Sequence, residues 1–347
     1  MFLSDDVPAV RTRMRTFYEM KELPFKPNIS NTMFAYISVS IAVILYGTTL
    51  TATKICLEEY STPTLMALRM SISAILFAPF FLTIYRNIKI EKSDIKFVLL
   101  MVLCEPCLYF LFETNALKFT SSGQAGVVSS LEPVLIILLA RMILKEKFPR
   151  LAYIGLAVAI TGSVFLSLMS DVNELAPRPL LGNTLQLGAE ILTCVSVITT
   201  KYLMDKYPPF YLAGISVLSG SIFFTSMCMM NGETLHIVAS PSAFIVGYLG
   251  ILTVVAYALY NYSMCTLSAS KVSPFLFLLP VSAIFFGWFF LGETLNIMQF
   301  ASCLVIFLGI YICQTFSKHS LDEAEKIISE HEPQKNDTEE IKEECKI

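Results

Sequence analysis

Charge is scarce in this chain. Of its 347 residues 15% are charged and 55% hydrophobic, with a mean hydropathy of +0.64, which excludes a water-soluble fold of ordinary proportions. Histidine is nearly absent: His236, His319 and His331 fall in connecting segments or the C-terminal tail, and no aspartate lies well inside an apolar run. Aspartate pairs, a serine with a histidine base and a histidine-bearing metal centre are thus missing. No enzyme activity, metal site or cofactor is expected. No segment alternates apolar and polar residues as a membrane barrel would. The net charge of −3 comes largely from an acidic C-terminal segment, and no surface for nucleic acid follows from it. The first 33 residues lack an apolar region with a small-residue cleavage site, so no removable signal peptide is expected.

What is present are ten apolar runs, near 34–57, 64–85, 95–114, 122–144, 150–170, 182–203, 210–230, 242–264, 271–291 and 295–316. About 20 apolar residues cross hydrocarbon as a helix, and unpaired backbone amides are too costly in lipid for any open alternative. The fold class expected is therefore an all-α integral membrane protein with ten transmembrane helices. Lysine and arginine are retained on the cytoplasmic side. With the N-terminus inside, that side receives Arg11, Arg13, Arg15, Lys21, Lys26, the bases at 86–96 and 141–150, Lys201, Lys206 and Lys271, while the outside receives Lys54, Lys118 and Arg178. Both termini are then cytoplasmic, in a plasma membrane or bacterial inner membrane. The outer loops hold none of the nine cysteines, which argues against structural disulfides. "CEPC" at 104–107 has metal or redox spacing, but it lies within a span without a second pair or a histidine, and it is read as structural.

The chain repeats itself. Pro133 and Pro280, Glu146 and Glu293, Gly162 and Gly309, and Lys54 and Lys201 each lie 147 residues apart. The organisation expected is a cytoplasmic leader (1–33), a first unit (34–170), an outer linker (171–181), a second unit (182–316) and an acidic, disordered cytoplasmic tail (317–347) in which "LDEAEKIISEHE" suits a short helix. Five spans per unit force the second copy to insert upside down. Such inverted repeats are the architecture of secondary transporters, whose halves enclose a midplane site.

The paired blocks "NALKFTSSGQAGVVSSLEPVLIILLARMILKEK" and "NYSMCTLSASKVSPFLFLLPVSAIFFGWFFLGET", with "LYGTTLTATK" at 45–54 and "LMALRM" at 65–70, resemble the drug/metabolite transporter superfamily, specifically its ten-helix EamA-type members. The resemblance spans residues 36 to 316. "LKEK" stands where a Gly-Glu pair is usual, and Tyr46-Gly47 where Trp-Gly is usual. The resemblance implies export or exchange of a small polar metabolite, such as an amino acid or related compound, by alternating access, and leaves the substrate open. A nucleotide-sugar or sugar-phosphate antiporter of an internal membrane is the nearest alternative, although its cargo calls for cavity bases. A receptor or enzyme suits this layout less.

Polar groups within apolar spans are costly and tend to face the bundle interior. Glu105, Tyr109 and Glu113 recur every four residues and predict one helical face. Tyr257, Tyr260 and Asn261, Gln186 with Glu190 and Thr193, and Tyr46 with Thr49 and Thr53 complete a candidate substrate cavity. The rival reading of the tyrosines is an interfacial aromatic belt. Glu132 and Glu190 are candidates for proton coupling, because a carboxylate in hydrocarbon must be paired, solvated or protonated. Pro133 and Pro280 suit gates or hinges, with packing kinks as the plainer reading. Lys54 is read as snorkelling to the interface in preference to attracting an anion. Arg69 is read as a helix-pairing residue, and Glu146 and Glu293 as caps on the next helix. The pairs Gly123 and Gly126, Gly155 and Gly162, and Gly247 and Gly250 predict close helix contacts, and similar faces suit a homodimer. The partners expected are the solute, the bilayer and a proton or counter-substrate.

Overall fold

A computed structural model describes residues 29–83, 88–136, 139, 150–169, 172–204, 206–235, 240–267, 275–276 and 278–330. Among these the chain is helical, with one isolated bridge between Asn173 and Ala176 and no strand. The helices are α1 (Ile29–Cys56), α2 (Thr62–Thr83), α3 (Ile95–Val102), α4 (Tyr109–Ala116), α5 (Ser122–Ser129), α6 (Arg150–Leu168), α7 (Pro179–Met204), α8 (Pro209–Met230), α9 (Pro241–Thr266), α10 (Leu278–Leu291) and α11 (Ile297–Glu330). Among the described residues six helical stretches are long and apolar enough to cross a membrane, and three shorter apolar helices accompany them. The charged loop at 141–149, with Glu146, and residues 1–28 and 331–347 lie outside the described residues.

Two expected spans are broken where carboxylates sit. Between α3 and α4 the chain makes a π turn over Leu103–Leu108, and Glu105 within it is extended, at φ −144° and ψ 120°. The cause is Pro106, whose ring disfavours helical backbone at the residue before it and which has no N–H to give. The single face expected for Glu105, Tyr109 and Glu113 therefore survives only for the last two. Likewise α5 stops at Ser129, Ser130 and Leu131 form a turn, and helix resumes over 132–136. Pro133 lies in the first turn of that resumed segment and Pro280 in the first turn of α10. In a first turn proline forfeits no intrahelical hydrogen bond, and Pro133, with a turn just before it, does not kink a continuous helix.

At the C-terminus, α11 runs on from the apolar segment to Glu330, into the stretch of the acidic tail read as suiting a short helix. Residues 321–330, "LDEAEKIISE", are mostly good helix formers with Asp322 four before Lys326, which favours propagating an existing helix over ending it.

The main packing partners come from opposite halves of the chain. α6 packs on α11, α2 on α8, α1 on α9 and α10, α5 on α10, and α3 and α4 on α7. Small residues permit this. A Cβ on Gly126 would collide with Ala283 of α10, and one on Gly309 of α11 would meet the backbone of α6 at Gly155 and Ala159. Gly247, by contrast, faces open space. Polar groups join the helices where apolar driving force is weak: Asn183 of α7 donates to Gln124 of α5 at 3.1 Å and to Ser167 of α6 at 2.9 Å, and Thr120 donates to Asn183 at 2.7 Å.

Candidate functional site

A buried ionic cluster joins the ends of α1 and α10 to the start of α5. Glu293, in the turn after α10, accepts from the backbone N–H groups of Ser122 (2.8 Å) and Gly123 (3.1 Å) and from the Ser122 hydroxyl (2.6 Å). It thereby caps α5, in the other half of the chain, where the helix dipole favours an anion. This corrects the expectation that it caps the next helix: α11 is started by Asn296 and Gln299, which accept from each other's backbone N–H. Lys54, at the end of α1, completes the cluster. Its Nζ lies 3.1 Å from the Glu293 carboxylate and donates to the carbonyls of Thr120 (2.6 Å) and Leu175 (2.5 Å). With 10% of its side chain exposed it does not snorkel. A strongly paired carboxylate lay within its reach, and an ammonium so satisfied gains nothing from the interface.

The centre of the bundle is different. Glu105 in the π turn accepts a hydrogen bond from Thr193 of α7 at 3.3 Å, and Glu190, one turn earlier on α7, is 2% exposed. Gln186, fully buried, donates its amide to Glu190 at 2.8 Å and to Ser129 at 3.0 Å, which ties α7 to the end of α5. Glu132 is close enough to Glu105, Glu190, Tyr46 and Tyr260 to act on their charge. Among the described residues its carboxylate takes no hydrogen bond and no ion pair. The Tyr46 and Tyr260 rings meet edge to face with centroids 6.1 Å apart, and Tyr257 is an electrostatic neighbour of both.

Thus Tyr46, Glu105, Glu132, Glu190, Tyr257 and Tyr260 form one set of electrostatic neighbours, to which Gln186 is joined through Glu190. Tyr109 reaches it from α4, donating to Glu113 at 2.6 Å. The side chain of Asn261 lies outside the described residues. Arg69 bridges helices, as expected: Nε donates to Thr253 of α9 at 3.1 Å and the guanidinium sits 4.6 Å above the Phe110 ring. Sequence reasoning passed over Ser129. Its signal was position, one turn before Glu132 on the same run.

At the opposite end Lys206 pairs with Asp94 (2.9 Å) and Glu91 (3.0 Å), and the Tyr207 hydroxyl donates to Asp94 at 3.0 Å. Burial opposes the charge on Asp94, but the hydrogen bonds from Lys206 and Tyr207 outweigh it and hold the carboxyl below its ordinary range. Hydrogen bonds to Asp94 and Glu91 raise the Lys206 ammonium above its ordinary value.

Several known proteins are similar to this chain over most of its length. An uncharacterized transporter of Archaeoglobus fulgidus is 27% identical over 285 residues, covering 81% of this chain and 98% of its own. The uncharacterized transporter YetK of Bacillus subtilis is 21% identical over 290 residues, covering 82% and 88%. The "Probable terminal-alkyne amino-acid exporter" of Streptantibioticus cattleyicolor is 25% identical over 176 residues, half of this chain and 57% of its own. A solved crystal structure aligns with a TM-score of 0.57 at 17% identity, covering 84% of this chain and 99% of its own, which speaks for the fold alone. The EamA-like transporter family matches twice, over residues 33–168 and 180–314, so each half of the chain is one copy of the same unit. An integral, multi-pass membrane protein built from two such copies, this chain belongs to the EamA-like transporter family.

Proposed function

We propose that this protein is a secondary carrier that exports or exchanges a small polar metabolite, an amino acid or related compound, by alternating access between two inverted five-helix units. The observation that carries the reading is the carboxylate- and tyrosine-lined centre, set where helices of the two halves meet and where two spans are interrupted. Broken helices at a repeat interface are where transporters place their sites. The pairing of helices supports the inversion. α1 packs on α9 as α7 packs on α3 and α4, an exchange that a two-fold axis between the halves would produce. The relative named as an amino-acid exporter favours this solute class. Lys54 is engaged by protein groups, which favours a metabolite without phosphate over a nucleotide sugar.

Glu132 and Glu190 carry the proton coupling in this reading, and the Lys54–Glu293 end is the closed gate. Both termini are cytoplasmic, in a plasma or bacterial inner membrane. Counter-flow in proteoliposomes tests the carrier: flux of radiolabelled solute saturates and is stimulated by unlabelled solute on the far side. Flux that rises linearly without trans-stimulation would mean a channel. Cysteines placed in the loops after the fourth and ninth spans are expected to label from opposite faces, and labelling from one face would remove the inversion.

A further inference from the structure

Buried charge is normally neutralised by its surroundings, and around Glu293 it is. At the centre it is not. Among the described residues no lysine or arginine pairs with Glu105, Glu132 or Glu190, and the ion pairs present are Lys54 with Glu293 and Lys206 with Glu91 and Asp94. Arg69 is held by Thr253 and Phe110, with Glu113 as its charged neighbour. A second observation has the same sign. Gln186 is wholly buried and turns its amide nitrogen to Glu190, and its carbonyl Oε1 is left without any donor. Buried acceptors without donors are rare because each costs free energy. Glu132 and the Gln186 carbonyl therefore lack donors among the described residues, and the one buried cationic donor left over, Arg69 Nη1, belongs to the side chain beside Glu113 and Tyr109.

Size decides which cation. A bare metal ion needs its oxygens within about 2–2.6 Å. Among the described residues no three acidic, cysteine or histidine side chains converge so tightly. A wider cation with several N–H groups would bridge the separate carboxylates, and the faces of Tyr46 and Tyr260 would attract it. A compensating carboxylate on the solute would meet three glutamates and, among the described residues, no base paired with them.

We infer that the solute is an organic cation whose primary ammonium or guanidinium group is received by Glu105, Glu132, Glu190 and the Gln186 carbonyl, against the rings of Tyr46 and Tyr260. This rests on the carrier reading and narrows its metabolite to an amine lacking a balancing carboxylate.

The test is saturable binding of radiolabelled agmatine, which carries both cationic groups, to the purified full-length protein at neutral pH. Its carboxylated parent arginine, and glutamate, serve as competitors. Arginine is expected to compete at least roughly tenfold more weakly and glutamate not at all, and Glu132→Gln and Glu190→Gln are each expected to weaken agmatine roughly tenfold or more. Glu132→Asp, which keeps the charge, should restore part of the binding, and thermal unfolding of the glutamine variants should match the parent. No agmatine binding up to about 10 mM, far weaker than a specific site, would overturn the inference. So would glutamine variants that fold and bind as the parent does, or competition by glutamate equal to that of agmatine. Counter-flow of an anionic or zwitterionic solute that agmatine does not inhibit would also overturn it, and would leave the carrier standing. Agmatine binding without flux of any solute would sustain the cation site and remove the carrier.

Discussion

Glu293 and Glu132 are the same side chain in the same bundle, in matching stretches of the repeated unit, and their surroundings differ in kind. Glu293 receives two backbone N–H groups, a hydroxyl and an ammonium, and every donor comes from the first half of the chain while the acceptor comes from the second. Glu132 receives nothing from the described residues, and it is an electrostatic neighbour of two further carboxylates, Glu105 and Glu190. A buried carboxylate that the fold satisfies joins elements together. One left unsatisfied holds a capacity to bind that only something from outside, a proton or a solute, can use.

This contrast can be broken most directly at the satisfied end. Glu293→Ala should strand the Lys54 ammonium and two helix-terminal N–H groups, costing about 3–5 kcal/mol of stability. Reversible denaturation in mixed micelles would measure it. Replacing both partners with apolar residues should recover much of the loss, and an unchanged unfolding midpoint in Glu293→Ala would show that the cluster closes nothing. At the unsatisfied centre the order reverses. Glu132→Gln should leave stability unchanged or raised while weakening solute binding by about 1.5–3 kcal/mol, the worth of a hydrogen bond to a charged group. A variant that loses stability and keeps its affinity would erase the distinction between the two sites.

The interface between the halves gives a smaller contrast of its own. Gly309→Leu should cost about 1–3 kcal/mol, because its side chain must displace the α6 backbone. Gly247→Ala, which meets nothing, should gain about 0.5–1 kcal/mol from helix propensity. At the far end Lys206, partly exposed, joins the exposed Glu91 to the buried Asp94, which keeps its hydrogen bond from Tyr207, so Lys206→Ala should cost about 1 kcal/mol at neutral pH. Its pH dependence has a definite sign. Because the Asp94 carboxyl is depressed in the folded protein, its contribution is full above the ordinary aspartate range and fades as the pH falls through its lowered value. The Lys206 ammonium is raised, so its contribution is full below the ordinary lysine range and fades as the pH climbs through the raised value. A denaturation series across pH that shows the same profile for parent and Lys206→Ala would contradict this.

Much of the site was legible before any fold was known, because a glutamate or glutamine in an apolar run is conspicuous and has few places to go. Gln186 and Glu190 were read as polar groups of one span, and, four apart on α7, they are hydrogen-bonded to each other. Glu105 was placed on a helix that does not continue past it, since the influence of Pro106 on its neighbour is local and was not weighed against the apolar pattern around it. Lys54 was assigned to the interface because its partner lies 239 residues away. A signal existed: the lysines at 54 and 201 and the glutamates at 146 and 293 share the spacing of the repeat, so the two residue types travel together.

From the residues alone came the helical class, the membrane setting and the doubled unit, because hydropathy, the cost of bare amides in lipid and a constant repeat spacing act along the chain and need no partner. Which helices touch, which carboxylate is neutralised and which is left waiting were settled by tertiary packing. Burial creates the demand for a counter-charge at every such position, but only the meeting of the two halves determines whether one arrives.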